Sequence, residues 1–435
     1  MPPRRLVLCL DGTWNNTASE ARRRDGDTVL KPTNVLKLAR AVLPQTGDGR
    51  EQVVYYDIGV GSLARYPGAA NRLLAVADRL LGGAWGAGFE SQVEKALGFL
   101  VVNHRPEDEL YVFGFSRGAA AAQALTRFLA WSEGLPQKGD AYYLPHLFRA
   151  YVVSRGRRAS AAVRAAIGAE RQRHGAAPLR PFQPVAVEML GVWDTVMALG
   201  SRFRAAGAST SSRAMSFHVG ESPPGIVRHA RQALAIDEAR YDFRPEIWRR
   251  AEPGQSLEQR WFAGVHSNIG GGYLDDGLAN VALHWMIEEA RARGLAFDDD
   301  YLRAFRAYPQ DRVYRSESLL YRVLDVARLR FGRGRRELVG RPDESRLSLS
   351  PAVIHRLRVD PRERRPLGDA SAPRFPEMPT PYRPSNLLRF LAAQPDLDGY
   401  LAGLGLPAEQ RVLPADVERR LRALRRPARQ REARA

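Results

Sequence analysis

The 435-residue chain contains one cysteine, Cys9. A single thiol excludes a disulfide framework and any cysteine-ligated zinc site. Cys9 sits inside the apolar run LVLCL, and reads as a small core residue rather than a nucleophile. Lysine is almost missing. Lys31, Lys37, Lys95 and Lys138 are the only four among 66 basic residues, and the rest are arginine. Beside abundant alanine, this bias marks a GC-rich coding sequence, which weakens any functional reading of the +18 formal charge. A basic surface still draws phosphates, on nucleic acid or on an anionic membrane. No apolar run reaches 18 residues, so no spanning helix is expected. The first apolar run, Leu6 to Leu10, is too short for a secretory signal and ends at Asp11. The expectation is a soluble protein, cytoplasmic in the cell that makes it, and exported, if at all, by a leaderless system. Internal repeats, a helix-turn-helix, a zinc finger and an RNA-binding aromatic signature are all missing, which weighs against a nucleic-acid partner.

What the chain does have is enough apolar material, 44%, for a large core. Apolar periodicity predicts strands over 4–10, 53–57, 110–115, 185–193 and 259–265. It predicts helices over 34–43, 74–81, 90–104, 117–132, 228–240 and 278–293. The glycine-rich GGAWGAGF, around Trp85, reads as a mobile loop or a tight backbone approach. Strands alternating with helices imply the α/β class, with a mostly parallel sheet covered on both faces. After about residue 300 arginine and proline rise and apolar segments shorten. A basic amphipathic helix is expected over 319–336, a proline-rich loop over 361–384 and a disordered basic tail over 427–435. The expected division is a catalytic domain over 1–299, a helical or irregular extension packed on it over 300–426, and that tail.

The sharpest local signal is Gly114-Phe115-Ser116-Arg117-Gly118. It has the G-x-S-x-G form, follows the pure strand LYVFGF and opens the small-residue helix RGAAAAQALTRFL. That is the context of a nucleophile elbow on an α/β-hydrolase sheet. A serine on such a strained turn exposes its hydroxyl, and side chains two positions either side would collide, so Gly114 and Gly118 fill both places. The backbone N–H of Arg117, at the helix start, could hold an oxyanion. A serine nucleophile needs a base, and the base an orienting acid, in the chain order Ser, acid, His. Asp194 follows a strand in VEMLGVWDTV, with Asp237 and Glu238 as competitors on a predicted helix. His266 follows the next strand, in QRWFAGVHSNIGGGY, on a glycine-rich loop. His218 and His229 are its alternatives. Asp11-Gly12-Thr13 ends the first strand at the same sheet edge. The N–H of Gly12 or Thr13 is a candidate second oxyanion donor, and Asp11 either caps that turn or, at the substrate pocket, positions the loop or the histidine. Asn15 and Asn16 are further polar candidates. Trp85, Phe115, Trp193 and Leu199 are the apolar candidates for lining the site. No metal or organic cofactor is needed for this chemistry.

Taken together, LCLDGTWNN, YDIGVGS, GFESQVEKALGFL, YVFGFSRGA, LGVWDTV and GVHSNIGGGY stand in the order that resembles the catalytic domain of type VI secretion phospholipase effectors, the Tle-type lipases. The resemblance covers residues 4 to about 295. It implies an α/β-hydrolase fold and phospholipid ester hydrolysis, with Ser116 as nucleophile, Asp194 as acid and His266 as base. It also implies a phospholipid or other acyl-ester substrate and a secretion or immunity partner, and the sequence itself offers Arg117 and the Arg-rich helix over 319–336 for peripheral contact with a phosphate head group or an anionic membrane. A carboxylesterase or thioesterase on soluble acyl compounds keeps the chemistry and changes the substrate. A non-catalytic hydrolase-fold binding protein keeps only the fold. The chain departs from the family at Asn268, where an acid is frequent, and at Ala119, Ala120 and Gln123, where bulkier or polar residues are frequent.

Overall fold

The computed structural model describes residues 3–12, 20–22, 28–59, 85–196, 219–240, 243–314, 336–338, 346–359 and 381–425, with backbone alone at 20–22, 28–29 and 85–89. The expected helix 74–81, most of 319–336, most of the proline-rich loop, the basic tail, Thr13, Asn15, Asn16, Leu199 and His218 lie outside those residues.

Nine strands are found among the described residues: β1 (Arg5–Leu10), β2 (Glu20–Arg22), β3 (Thr28–Leu30), β4 (Gln52–Asp57), β5 (Glu109–Phe115), β6 (Val187–Trp193), β7 (Val227–Ala235), β8 (Ser256–Phe262) and β9 (Leu347–Leu349). β2 and β3 form a small antiparallel pair. The other seven make one parallel sheet in the order β4-β1-β5-β6-β7-β8-β9. Helices α1 (Asn34–Ala41), α2 (Trp85–Asn103), α3 (Arg117–Ser132), α4 (Leu144–Ser154), α5 (Ser160–Arg173), α6 (His266–Gly270) and α7 (Gly277–Arg291) cover it. This is the α/β-hydrolase-like arrangement.

Side-chain alternation explains the layers. Leu6, Leu8, Leu10, Leu110 and Val112 point to one face, where they meet α2, α3, α4 and α5. Val7, Cys9, Tyr111, Phe113 and Phe115 point to the other, against α1 and α7. Beyond β8 the chain builds a third core. The short helix α8 (Asp299–Leu302) still packs in the second core, and α9 (Pro351–Arg358), α10 (Ser385–Ala392), α11 (Leu397–Gly403), α12 (Ala408–Arg411) and α13 (Ala415–Arg425) follow it. Leu349, Val353, Leu387, Leu391 and Val417 of the third core pack on Trp261 and Leu234 of the sheet. No helix among the described residues is long and apolar enough to cross a membrane.

One element departs from expectation. The predicted helix over 228–240 is the strand β7. Its sequence, VRHARQALA, is rich in helix formers, but it lies between two parallel strands and is buried along most of its length. Tertiary pairing overrides propensity there. Alanines at 230, 233 and 235 leave room for the layers above and below, and Gln232 satisfies its amide on Thr195, Gln259 and the Glu246 carbonyl. Trp85 also differs, since it begins α2 rather than lying in a loop.

β1 pairs with β4 on one side and β5 on the other. The chain runs from β1 outward to β4 and from β5 the other way to β6, so the carboxyl ends of β1 and β5 are the switch point at which such a sheet opens a crevice. Asp11 and Ser116 stand at that crevice.

Candidate active site

Ser116 occupies the single residue between β5 and α3, with φ 58° and ψ −119°. A non-glycine residue in that conformation is held by its surroundings. The surroundings are tight. A Cβ on Gly114 would lie 2.4 Å from the Gly118 carbonyl oxygen, and one on Gly118 would lie 2.0 Å from the Leu10 carbonyl oxygen. Both elbow glycines are thus required by backbone contact, and Gly118 brings the end of β1 against the start of α3. The Ser116 N–H donates to the Trp193 carbonyl at 3.1 Å, which ties the turn to β6.

The structure brings the three expected polar side chains together. His266 Nε2 lies 2.8 Å from Ser116 Oγ, and His266 Nδ1 lies 2.6 Å from Asp194 Oδ2. An ionised carboxylate only accepts, so Nδ1 carries the imidazole proton and Nε2 is left to accept the serine hydroxyl. His266 is the first residue of the short helix α6, not of an open loop. Its ring is wedged between Phe115, at 4.7 Å between centroids, and Phe243, which meets it edge-on at 5.1 Å. Asp194 follows β6 with φ 44°. Its N–H donates to the Ala233 carbonyl, and its Oδ1 accepts the Ala235 N–H at 3.0 Å.

The competing residues serve the frame. Glu238 accepts the His266 backbone N–H at 3.2 Å and pairs with Arg240 at 2.9 Å. Asp237 accepts the Gly264 N–H and the Tyr382 hydroxyl, each at 2.7 Å. Both lie just beyond β7, not on a helix. His229 lies within β7, 3.5 Å from Glu188. Asn268 accepts N–H groups of Val265 and Tyr314 and donates to the Arg312 carbonyl, so an amide fills that position as a two-way anchor.

Sequence reasoning missed Arg336. Its guanidinium forks onto Asp194, Nη1 to Oδ1 at 2.5 Å and Nη2 to Oδ2 at 2.9 Å, and it is buried. Nothing local distinguishes this arginine among the many in the chain.

The remaining candidates divide. Gly12 donates its N–H to Asp11 Oδ1 at 2.7 Å, so an oxyanion role for it requires that bond to open. The Asp11 carboxylate also accepts the hydroxyls of Thr33 and Tyr56, at 2.5 and 2.7 Å, and so fixes the end of β1. Phe115 is buried beneath the imidazole. Trp193 does not line a pocket: it is fully buried on the α7 side, with its indole N–H donating to the Ala282 carbonyl. Its strand position turns it inward while the next residue, Asp194, reaches the sheet edge.

Burial raises the tendency of Asp194 to hold a proton, but Arg336 and His266 outweigh it and keep the carboxyl well below the usual carboxylate range. Burial pulls the His266 imidazole below its ordinary value, against the opposing pull of Asp194. Burial pushes Asp237 up to about 6, whereas at Glu238 burial is outweighed by Arg240, which holds the carboxyl at about 2. A hydroxyl, a neutral imidazole and a fixed carboxylate in series can transfer a proton from the hydroxyl as it attacks an electrophile.

Several known proteins are similar to this chain. An uncharacterized protein of Saccharomyces cerevisiae is 32% identical over 137 residues, 31% of this chain and 18% of that protein. A crystal structure of an uncharacterized protein from Pseudomonas aeruginosa matches 97% of this chain and 62% of its own, at 16% identity and a TM-score of 0.39. A Tle1 effector, solved bound to the VgrG spike of the type 6 secretion system, matches 63% of this chain and 52% of its own, at 20% identity and a TM-score of 0.32. The chain thus spans less than two thirds of each of these proteins. The family model described as type VI secretion phospholipase effector Tle1-like, catalytic domain, matches residues 4–289, and the chain belongs to that family.

Proposed function

We propose that the protein is a serine ester hydrolase acting on phospholipids, with Ser116 as nucleophile, His266 as general base and Asp194 as the acid that orients it. The hydrogen-bonded series Ser116–His266–Asp194, mounted on a strained elbow, is the observation that carries this reading. In the first half-reaction Ser116 Oγ attacks the ester carbonyl while its proton passes to His266 Nε2. The tetrahedral oxyanion is held by the Arg117 N–H and by the N–H of Gly12 or Thr13, Gly12 giving up its bond to Asp11 Oδ1 to do so. Loss of one such donor typically slows the reaction by about 10²–10³. His266 then protonates the departing alkoxide. In the second half, water attacks the acyl carbonyl as His266 takes its proton, and the Ser116–acyl bond then breaks as His266 returns that proton to Ser116 Oγ, which frees the fatty acid and regenerates the hydroxyl. The phospholipid substrate rests on the family, and delivery by a type VI apparatus belongs to the same proposal.

Purified wild type and Ser116→Ala, compared on phospholipid vesicles and on short soluble esters, test both parts. The expected result is fatty-acid release from vesicles, faster than turnover of short esters, with a loss of at least about 10³-fold in Ser116→Ala. Undiminished hydrolysis by Ser116→Ala would reject the nucleophile. Turnover of soluble acyl esters or thioesters alone would reject the lipid substrate.

A further inference from the structure

Arg336 lies beyond the family-matched residues 4–289, yet it touches the site directly. Its guanidinium spans both oxygens of Asp194 and donates to the carbonyls of Ala235 and Phe243, at 2.9 and 2.6 Å. Its own carbonyl is held by Asn386 Nδ2 at 3.1 Å, and the same amide holds the Ile236 carbonyl at 2.9 Å. Two residues on, Leu338 is buried in the third core with Leu387 and Leu391. The segment 336–338 is therefore stitched between the end of β7 and helix α10.

We propose that Arg336 is a positioning residue for the Ser116–His266–Asp194 series, supplied from the C-terminal region, and that it sets the pH at which His266 becomes an active base. The inference rests on the serine-hydrolase reading above. Asp194 is fully buried, and without the guanidinium its carboxylate keeps only the His266 imidazole and the Ala235 N–H to hold its direction. A planar guanidinium fixes both oxygens at once, so Oδ2 stays ionised and aimed at Nδ1. The same positive charge offsets part of the carboxylate's pull on the imidazole, which keeps the imidazole neutral to lower pH. Among the described residues, the charged and titratable groups around His266 are Asp194 just after β6, Asp237, Glu238 and Arg240 from the turn after β7, and Arg336. The flanking rings of Phe115 and Phe243 carry no charge. Removing Arg336 leaves Asp194 and Glu238 facing Arg240 alone, so protonation of His266 becomes easier.

The test is the pH dependence of kcat/KM for the full chain on a soluble ester, for wild type, Arg336→Met and Arg336→Lys. Melting temperature and fluorophosphonate labelling measure the folded, competent fraction. Arg336→Met is expected to move the acid limb upward by about one to two pH units, the scale of one unit charge at about 6 Å in a medium of effective dielectric about 20. Its kcat should fall at least about tenfold with KM little changed. Arg336→Lys keeps the charge and loses the fork, so its limb should stay at the wild-type position while kcat still falls. A folded Arg336→Met with an unmoved limb overturns the proposal. If Arg336→Met does not fold, Arg336→Lys decides: a wild-type kcat overturns the proposal, and a reduced kcat at unchanged KM and limb supports it. Failure of wild-type Ser116 to label would overturn the serine-hydrolase reading instead.

Discussion

At the scale of single residues, His266 feels opposing forces: burial favours its neutral form, and Asp194 favours the charged one. Burial wins, so the base is unprotonated below the ordinary imidazole value of about 6.5. The acid limb of kcat/KM is therefore expected below about pH 6.5, and a limb above 7 would contradict this balance. Asp237 behaves in the opposite sense. Its folded value of about 6 lies above the ordinary carboxylate value of about 3.9, so stability falls as pH rises between them. An asparagine in its place removes that dependence. The stability of Asp237→Asn relative to wild type, measured by urea unfolding, should improve by on the order of 3 kcal/mol from pH 4 to pH 7. A pH-independent difference would show that the buried carboxyl is not strained. Ser116, Asp194 and His266 were legible in the chain because each ends an apolar strand at one sheet edge. Arg336 was not, because its meaning depends on a contact 142 positions away in an arginine-rich sequence.

At the scale of elements, the elbow works because three backbones meet: the end of β1, the end of β5 and the start of α3. Gly118→Ala forces a Cβ to 2.0 Å from the Leu10 carbonyl oxygen and 2.6 Å from that of Asp11. Backbone on both sides cannot yield, so the change is expected to cost more than the roughly 1–3 kcal/mol of ordinary overpacking. A melting temperature within a degree of wild type, with full activity, would refute the close approach. Strands with clean apolar runs, β1 and β5, were readable from periodicity, and the helix expected over 117–132 is α3 with the same bounds. β7 was not, since arginine, alanine and glutamine carry no strand signal and only its neighbours make it one. The helices α4 and α5 were not assigned: α4 is apolar nearly all round and carries Pro145 in its first turn, and α5 spaces two branched apolar residues among alanines and arginines.

At the scale of the whole molecule, the sheet and its first two cores follow from alternation along the strands. The third core, where α9, α10 and α13 pack on β8 and β9, comes from short apolar segments separated by arginine and proline, and was expected only as helical or irregular chain. It reaches the site through α10, which carries Asn386, and through Arg336. Leu391→Ala in that core should cost about 2–5 kcal/mol, read by urea unfolding. A change below about 0.5 kcal/mol, the scale of an ordinary surface substitution, would mean that the C-terminal helices do not pack as described. Ser116 carries the hydroxyl assigned as reactive, and peptide mapping of the full chain after treatment with a fluorophosphonate checks that assignment. One phosphonyl adduct is expected, on Ser116, and it should fail to form in His266→Ala. Hydrolytically active protein that gives no adduct, or an adduct on another residue, would contradict it.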